Sequence, residues 1–331
     1  MMHNKTILLY CGAIGILLTT SGCLRLPPYR MKRKKVTIAL PAQCKQTVRP
    51  TTTDCVNNQI DVCPEIKVQP TITIWIHGTR LLPNPIFSAY MYSKPGLHPI
   101  TVLDKTYHLR QLADAIIQAD PERYPLDHFY AFGWSGKLSE QVRKDASAAL
   151  HHQLLSLRQY YKNKHGVTPK IRLITHSHGG NIALHLVDMK TPTNSLEIEE
   201  LILMACPVQE KTMHNIQDPM FKKTYALYSS MDMLQILAPQ FLCRVQIVGG
   251  KKKKTELKIP LLSSRRFEPD AKLAQIKIKI NGRALCHTTF SSDAFMRLLP
   301  TIIDEINHWQ HEEQQYRCDR PDTRRLMSIY T

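Results

Sequence analysis

A serine flanked by two histidines is the first place where this chain could do chemistry. The segment Leu173-Ile174-Thr175-His176-Ser177-His178-Gly179-Gly180-Asn181 runs from apolar residues into a pair of glycines. A serine in a sharp strand-to-helix turn is pushed off the sheet, with its hydroxyl exposed at the helix N-terminus. Such a turn crowds the residues two before and two after the serine, so both must be small. Gly179 meets that demand fully and Thr175 tolerably, so the segment departs from Gly-x-Ser-x-Gly at its first glycine. The same residues also suit a plain helix cap, a position that serine and glycine favour. A serine hydroxyl is a weak nucleophile until a base takes its proton. His176 and His178 are nearest, but the elbow backbone fixes their directions; one can line a pocket, and neither is a good base.

Taken with residues elsewhere in the chain, this segment resembles the lipase and esterase-like members of the α/β-hydrolase superfamily. The resemblance covers roughly Thr71 to Trp309 and rests on four pieces. These are Trp75-Ile76-His77-Gly78-Thr79, the Thr175 to Asn181 elbow, an aspartate after a late strand, and a histidine further on. The superfamily orders its triad Ser…Asp…His, and Ser177, Asp232 and His287 fall in that order. Asp232 follows Tyr-Ala-Leu-Tyr-Ser-Ser-Met, a strand-like run. It equally suits a helix N-terminus, where the dipole favours an acid. The nearest rival, Asp218, sits in a Gln-Asp-Pro turn. His287 lies in Leu285-Cys286-His287-Thr288-Thr289; His308, its rival, falls inside the last helical segment.

The resemblance implies that Ser177 attacks a carbonyl, His287 takes its proton, and Asp232 fixes the imidazole tautomer. It places the oxyanion donors on the backbone of His178 and Thr79. Losing one such donor costs about 3–4 kcal/mol. His77, Gly78 and Trp134 are expected around the substrate pocket, Trp134 lying in Gly133-Trp134-Ser135-Gly136 after another strand. Ser135 lacks the small-residue spacing of a second elbow. Leu81 to Tyr92 reads either as a lid or acyl-binding wall, or as an ordinary packed loop. No metal and no organic cofactor is implied.

Strands alternating with helices are what would bring these residues to one sheet edge. Strands are predicted over Val36 to Leu40, Thr71 to Ile76, Asp127 to Phe132, Lys170 to Thr175, Leu201 to Cys206 and Thr224 to Tyr228, with another around Ile276, Ile278 and Ile280. Helices are predicted over His108 to Gln118, Ser139 to Lys162 with Gly166 as the stop, Gly179 to Met189, and Phe295 to Trp309. Parallel β-α-β units follow: an α/β fold with a mostly parallel sheet and helices on both faces. A β-hairpin is expected before the last strand, from Arg244 to Val248 through a lysine-rich tip to Thr255 to Ile259. The chain divides into 1–23, a targeting segment; 24–70, a basic, loop-rich arm; 71–310, the hydrolase domain; and 311–331, a basic tail read as solvated or loosely docked.

Composition bounds the partners. The 331 residues are 43% hydrophobic and 21% charged, which allows a packed core and excludes wholesale disorder. No apolar run reaches the roughly 18–20 residues of a membrane-spanning helix. The net charge of +17 suits an anionic partner. A short apolar stretch, Ile7 to Leu18, leads to Thr20-Ser21-Gly22-Cys23, which resembles a bacterial lipobox and implies cleavage before an acylated Cys23. It departs from that pattern at Thr20 and in the basic segment that follows, which favours a cytoplasmic side. The expected location is therefore the cell envelope, as a membrane-anchored lipoprotein, or else an N-terminally anchored cytoplasmic domain. If exported, Cys44, Cys55 and Cys63 could hold a disulfide. Lys32 to Lys35 and Lys251 to Lys254 could meet anionic lipid, each lysine adding about 1 kcal/mol. No nucleic-acid motif accompanies them. The sequence thus points to a carboxylic-ester hydrolase acting on an ester or lipid. A thioesterase or amidase on the same scaffold, or a catalytically silent binding lipoprotein, remains the alternative.

Overall fold

Nine strands form one sheet in the computed structural model, which describes residues 69–79, 94–192, 194–237, 246–248, 251–253, 263–315 and 325–329. Strand β1 (Thr71–Ile76) shows how the sequence makes it. Ile72, Ile74 and Ile76 alternate with Thr73 and Trp75, and all five are buried. A strand covered on both faces needs that pattern. The three isoleucines join one apolar layer and Trp75 the other.

Strands β3 (Phe129–Gly133), β4 (Lys170–His176), β5 (Ile198–Met204), β6 (Phe221–Tyr228) and β9 (Leu273–Ile280) join β1 in parallel, in the order β3-β1-β4-β5-β6-β9. On the Trp75 side pack α1 (His108–Ala119) and α5 (Asp293–Gln315), through Leu109, Leu112, Phe295, Leu299 and Ile303. On the other side lie α2 (Glu140–His165) and α3 (Gly179–Leu184), through Leu150, Leu154, Ile182 and Leu184. Ser139 caps α2 by accepting from the Val142 N–H, and Gly166 ends it with a left-handed φ of 72°. That conformation favours glycine. A short α4 (Met233–Leu237) follows β6.

Register fixes the site. Ile76 pairs with Thr175, His176 with Met204, and Met204 with Leu227. Parallel strands ending almost level release the segments after β1, β4, β5 and β6 along one edge. In open α/β sheets that edge holds the ligand.

Several elements differ from the sequence reading. The helix expected over Gly179 to Met189 is α-helical only to Leu184 and continues as a 3-10 turn over His185–Met189. Two short strands carry little sequence signature: β2 (Gly96–Pro99), antiparallel to β3, and β10 (Arg283–Ala284), antiparallel to β9. β10 follows an Asn281-Gly282 turn with φ of 50° and 73°. That dipeptide suits tight hairpins, because both of its residues tolerate positive φ. The ribbon before β9 pairs β7 (Gln246–Val248) with β8 (Lys251–Lys253), Val248 facing Lys251. Three lysines expected at a tip are therefore strand residues, and Thr255 to Ile259 lie outside the described residues.

The tail is not merely solvated. Helix α5 extends to Gln315, and β11 (Arg325–Ile329) pairs in parallel with β9, burying Met327. Its surrounding arginines disguised a five-residue strand as a charged end. Residues 1–68 lie outside the described residues, and with them the targeting segment, Cys23, Val36 to Leu40, Lys32 to Lys35, Cys44, Cys55 and Cys63. So do Leu81 to Tyr92 and Lys254. Among the described residues no helix is long and apolar enough to cross a membrane.

Candidate active site

Ser177 sits where β4 turns into α3, with φ at 54°. A non-glycine residue held there costs of order 1–3 kcal/mol and persists only where its surroundings impose it. Its N–H donates to the Met204 carbonyl at 2.9 Å, and its own carbonyl accepts from the Gly180 N–H at 3.0 Å. Close packing explains the glycines that follow. A Cβ on Gly179 would stand 2.5 Å from the Ile76 carbonyl oxygen, and one on Gly180 would stand 2.5 Å from the Cys206 sulfur. Thr175, which replaces the usual first glycine, is fully buried and donates its hydroxyl to the Ile202 carbonyl at 3.1 Å. The departure is accommodated because that hydroxyl has a partner.

The segment after β1 runs hard against this turn. A Cβ on Gly78 would meet the Ser177 Cβ at 2.8 Å and the His176 carbonyl oxygen at 3.1 Å. His77 holds the segment in place. Its Nδ1–H donates to the Gly78 carbonyl at 2.8 Å, and its Nε2 accepts from the Trp134 backbone N–H at 3.2 Å. The Trp134 indole N–H returns a bond to the His77 carbonyl at 2.8 Å, and the two rings stack 5.7 Å apart. His77 and Trp134, expected in the pocket, are both buried and serve to fix the loop that carries Gly78 and Thr79. The His178 backbone N–H, at the start of α3, donates to nothing among the described residues.

Asp232 and His287, 55 residues apart, meet. His287 Nδ1 lies 2.8 Å from one Asp232 carboxylate oxygen and 3.0 Å from the other. With Nδ1 donating to a carboxylate, the imidazole presents Nε2 as its acceptor. Asp232 is fully buried, and one of its oxygens also accepts from the Gln235 N–H at 2.9 Å. The helix-cap and histidine-partner readings of Asp232 therefore hold together. Ser229 joins the two loops by accepting from the Leu285 N–H at 2.8 Å, and Arg265 donates to the Asp232 carbonyl at 3.0 Å.

His176 ties this pair to the elbow. Its Nε2–H donates to the His287 carbonyl at 3.1 Å, and the two rings lie 4.7 Å apart. Burial, helped by the neighbouring His287, pushes its pKa down to about 3, so the ring is neutral. Burial likewise holds His178 well below the usual histidine range, with Arg143 and His287 adding to the effect. His176 is the residue sequence reasoning missed: it was read as a possible pocket wall, whereas it anchors the His287 loop. Only its place at a strand end hinted at that. His77 and Gly78 follow β1, Ser177 follows β4, Asp232 follows β6 and His287 follows β10. Cys23 lies outside the described residues.

No family model and no curated protein matches the chain. Solved structures similar to it include phospholipase PlaB from Legionella pneumophila, at 19% identity over 42% of this chain and 25% of that one, with a TM-score of 0.27. Carboxyl esterase 2 from Tuber melanosporum is 15% identical over 46% of this chain and 42% of its own, with a TM-score of 0.27. A thermostable esterase from Pseudomonas putida ECU1011 is 7% identical over 81% and 66%, with a TM-score of 0.30. The chain thus spans a quarter of the phospholipase and under half of the carboxyl esterase. Its own topology is a mostly parallel sheet with helices on both faces and a strained strand-serine-helix turn at the sheet edge. The fold is an open α/β one. Asp232 follows β6, and His287 follows β9 and β10.

Proposed function

We propose that the chain hydrolyses a carboxylic ester, in the manner of a lipase or esterase, through an acyl-enzyme on Ser177. The observation that carries this reading is the buried contact of His287 Nδ1 with both Asp232 oxygens, on a loop bonded to the residue before Ser177. His287 Nε2 takes the Ser177 proton as the hydroxyl oxygen attacks the ester carbonyl. Asp232 holds the tautomer and stabilises the imidazolium. The N–H groups of His178 and Thr79 receive the tetrahedral oxyanion. The imidazolium then protonates the departing alcohol, leaving an acyl group on Ser177. Water, activated by the same histidine, releases the acid and restores the hydroxyl.

The test is turnover of p-nitrophenyl esters of graded acyl length. Hydrolysis that disappears in Ser177→Ala supports the reading. A folded wild-type protein inert toward every ester, including long-chain ones, contradicts it. We further propose that residues 1–23 direct export and that Cys23 is acylated, with Lys32 to Lys35 and Lys251 to Lys254 facing anionic lipid. Mass spectrometry of the N-terminus distinguishes a diacylated Cys23 from an intact Met1.

A further inference from the structure

On the α2 side of the elbow, three buried groups have hydrogens to donate and no acceptor for them. Arg143, in the first turn of α2, is 3% exposed. Its Nη2 donates to the Gln209 side-chain oxygen at 2.9 Å, while its Nε–H is unpartnered. Gln209, in the segment after β5, has its oxygen occupied and its amide nitrogen unpartnered. His178 completes the group. Its Nδ1 lies 3.5 Å from the Asn181 amide nitrogen, which can only donate, so the proton sits on Nε2. That Nε2 is buried without a partner. Strands β3, β4 and β5 lead respectively into α2, the elbow and the Gln209 segment, so all three groups stand at the active edge.

The cluster is positively charged, and the one carboxylate acting on it among the described residues, Glu140, makes its ion pairs elsewhere. No ion pair holds Arg143 among the described residues. Glu140, one turn earlier, pairs with Lys211 and Lys144. Cys206 offers no counter-charge, because burial pushes its thiol pKa up and keeps it protonated. Burial lowers the Arg143 pKa to about 10, which leaves it charged at neutral pH. A cation withdrawn from water is costly unless an anion or a full set of acceptors meets it. Unsatisfied buried donors in a folded protein call for an unseen partner. A guanidinium edge with further N–H donors beside it matches the oxygens of a carboxylate or phosphate.

We propose that Arg143, Gln209 and His178 form an oxyanion-binding subsite beside Ser177, which takes the carboxylate or phosphate of an acidic substrate, or else a free phosphate ion. The site itself does not depend on the hydrolase reading; only the substrate as its source of anion does.

The experiment titrates the full chain with sodium phosphate, and separately with glutarate, at constant ionic strength, with heat as the readout. Saturable one-site binding is expected, retained in Ser177→Ala and weakened at least about tenfold in Arg143→Met, with Arg143→Lys intermediate. Should Arg143→Met not fold, Gln209→Leu removes one donor and is expected to weaken binding about threefold or more. Hydrolysis of mono-p-nitrophenyl glutarate identifies the source. Phosphate that raises the KM of this hemiester competitively assigns the site to the substrate's own anion; phosphate that binds without changing that KM assigns it to a free ion. Absence of saturable binding in the wild type, or undiminished binding in both Arg143→Met and Gln209→Leu, overturns the subsite. Arg143-dependent binding in a protein inert to every ester would uphold the subsite and reject the hydrolase reading.

Discussion

Asp232 faces two ways: one oxygen accepts from the Gln235 N–H at the start of α4, and both face the His287 imidazole. The two roles can be separated. Asparagine caps a helix about as well as aspartate, but it cannot hold the imidazole in the required tautomer or balance its charge. Asp232→Asn should keep Tm within a few degrees of wild type and lower kcat by about 10³–10⁴-fold. Asp232→Ala should lose a further ~1 kcal/mol of stability along with the activity. Thermal unfolding and ester kinetics on the two variants check this; equal kcat in wild type and Asp232→Asn would remove Asp232 from the relay. His176 should act through position alone. His176→Phe deletes the donor to the His287 carbonyl and should lower kcat roughly tenfold with KM little changed. His176→Gln, which retains an N–H, should recover part of that loss.

Among the elements, glycines decide how closely β1, the elbow and α3 can approach. Gly179→Ala would put a methyl 2.5 Å from a backbone oxygen of β1, which cannot swing away as a side chain can. It should cost about 3 kcal/mol or more, read as a lower urea midpoint or loss of soluble protein. Gly282→Ala has open space around it and only a φ of 73° against it, so its cost should be nearer ~1 kcal/mol. A reversed ranking would contradict the tight β1–α3 contact. The long elements were legible in the sequence because their burial is periodic: Ile72, Ile74 and Ile76 in β1, and Leu150 and Leu154 in α2. β2 was not, because Gly-Leu-His-Pro is only partly buried and has no alternation to read. β11 escaped notice because its pairing with β9 comes from tertiary contact, not from its own composition.

At the scale of the whole molecule, two neutral histidines at the elbow, His176 half-buried and His178 buried, tie stability to pH. His176 titrates at about 3 when folded, against about 6.5 in an unfolded chain, and His178 is shifted in the same direction. Between these values the unfolded state binds the extra proton. Stability is therefore present above about pH 6.5 and is lost as pH falls toward 3, by at most about 1.4 kcal/mol per pH unit for each histidine. Urea unfolding from pH 7 to pH 4 should show that slope, and His176→Gln should flatten it. The candidate site was legible to the extent that it is local or ordered along the chain: the elbow around Ser177, then an acid, then a histidine. Its bracing was not. The His77–Trp134 bonds and the His176–His287 bond join residues 57 and 111 positions apart, and no sequence spacing announces such contacts. The central claim is that Ser177 is made nucleophilic by His287, and active-site labelling reads it most directly. A fluorophosphonate probe followed by peptide mass spectrometry should place a single phosphonyl group on Ser177 in wild type, and far less in His287→Ala. An unlabelled wild-type protein, or label of equal extent in His287→Ala, would contradict it.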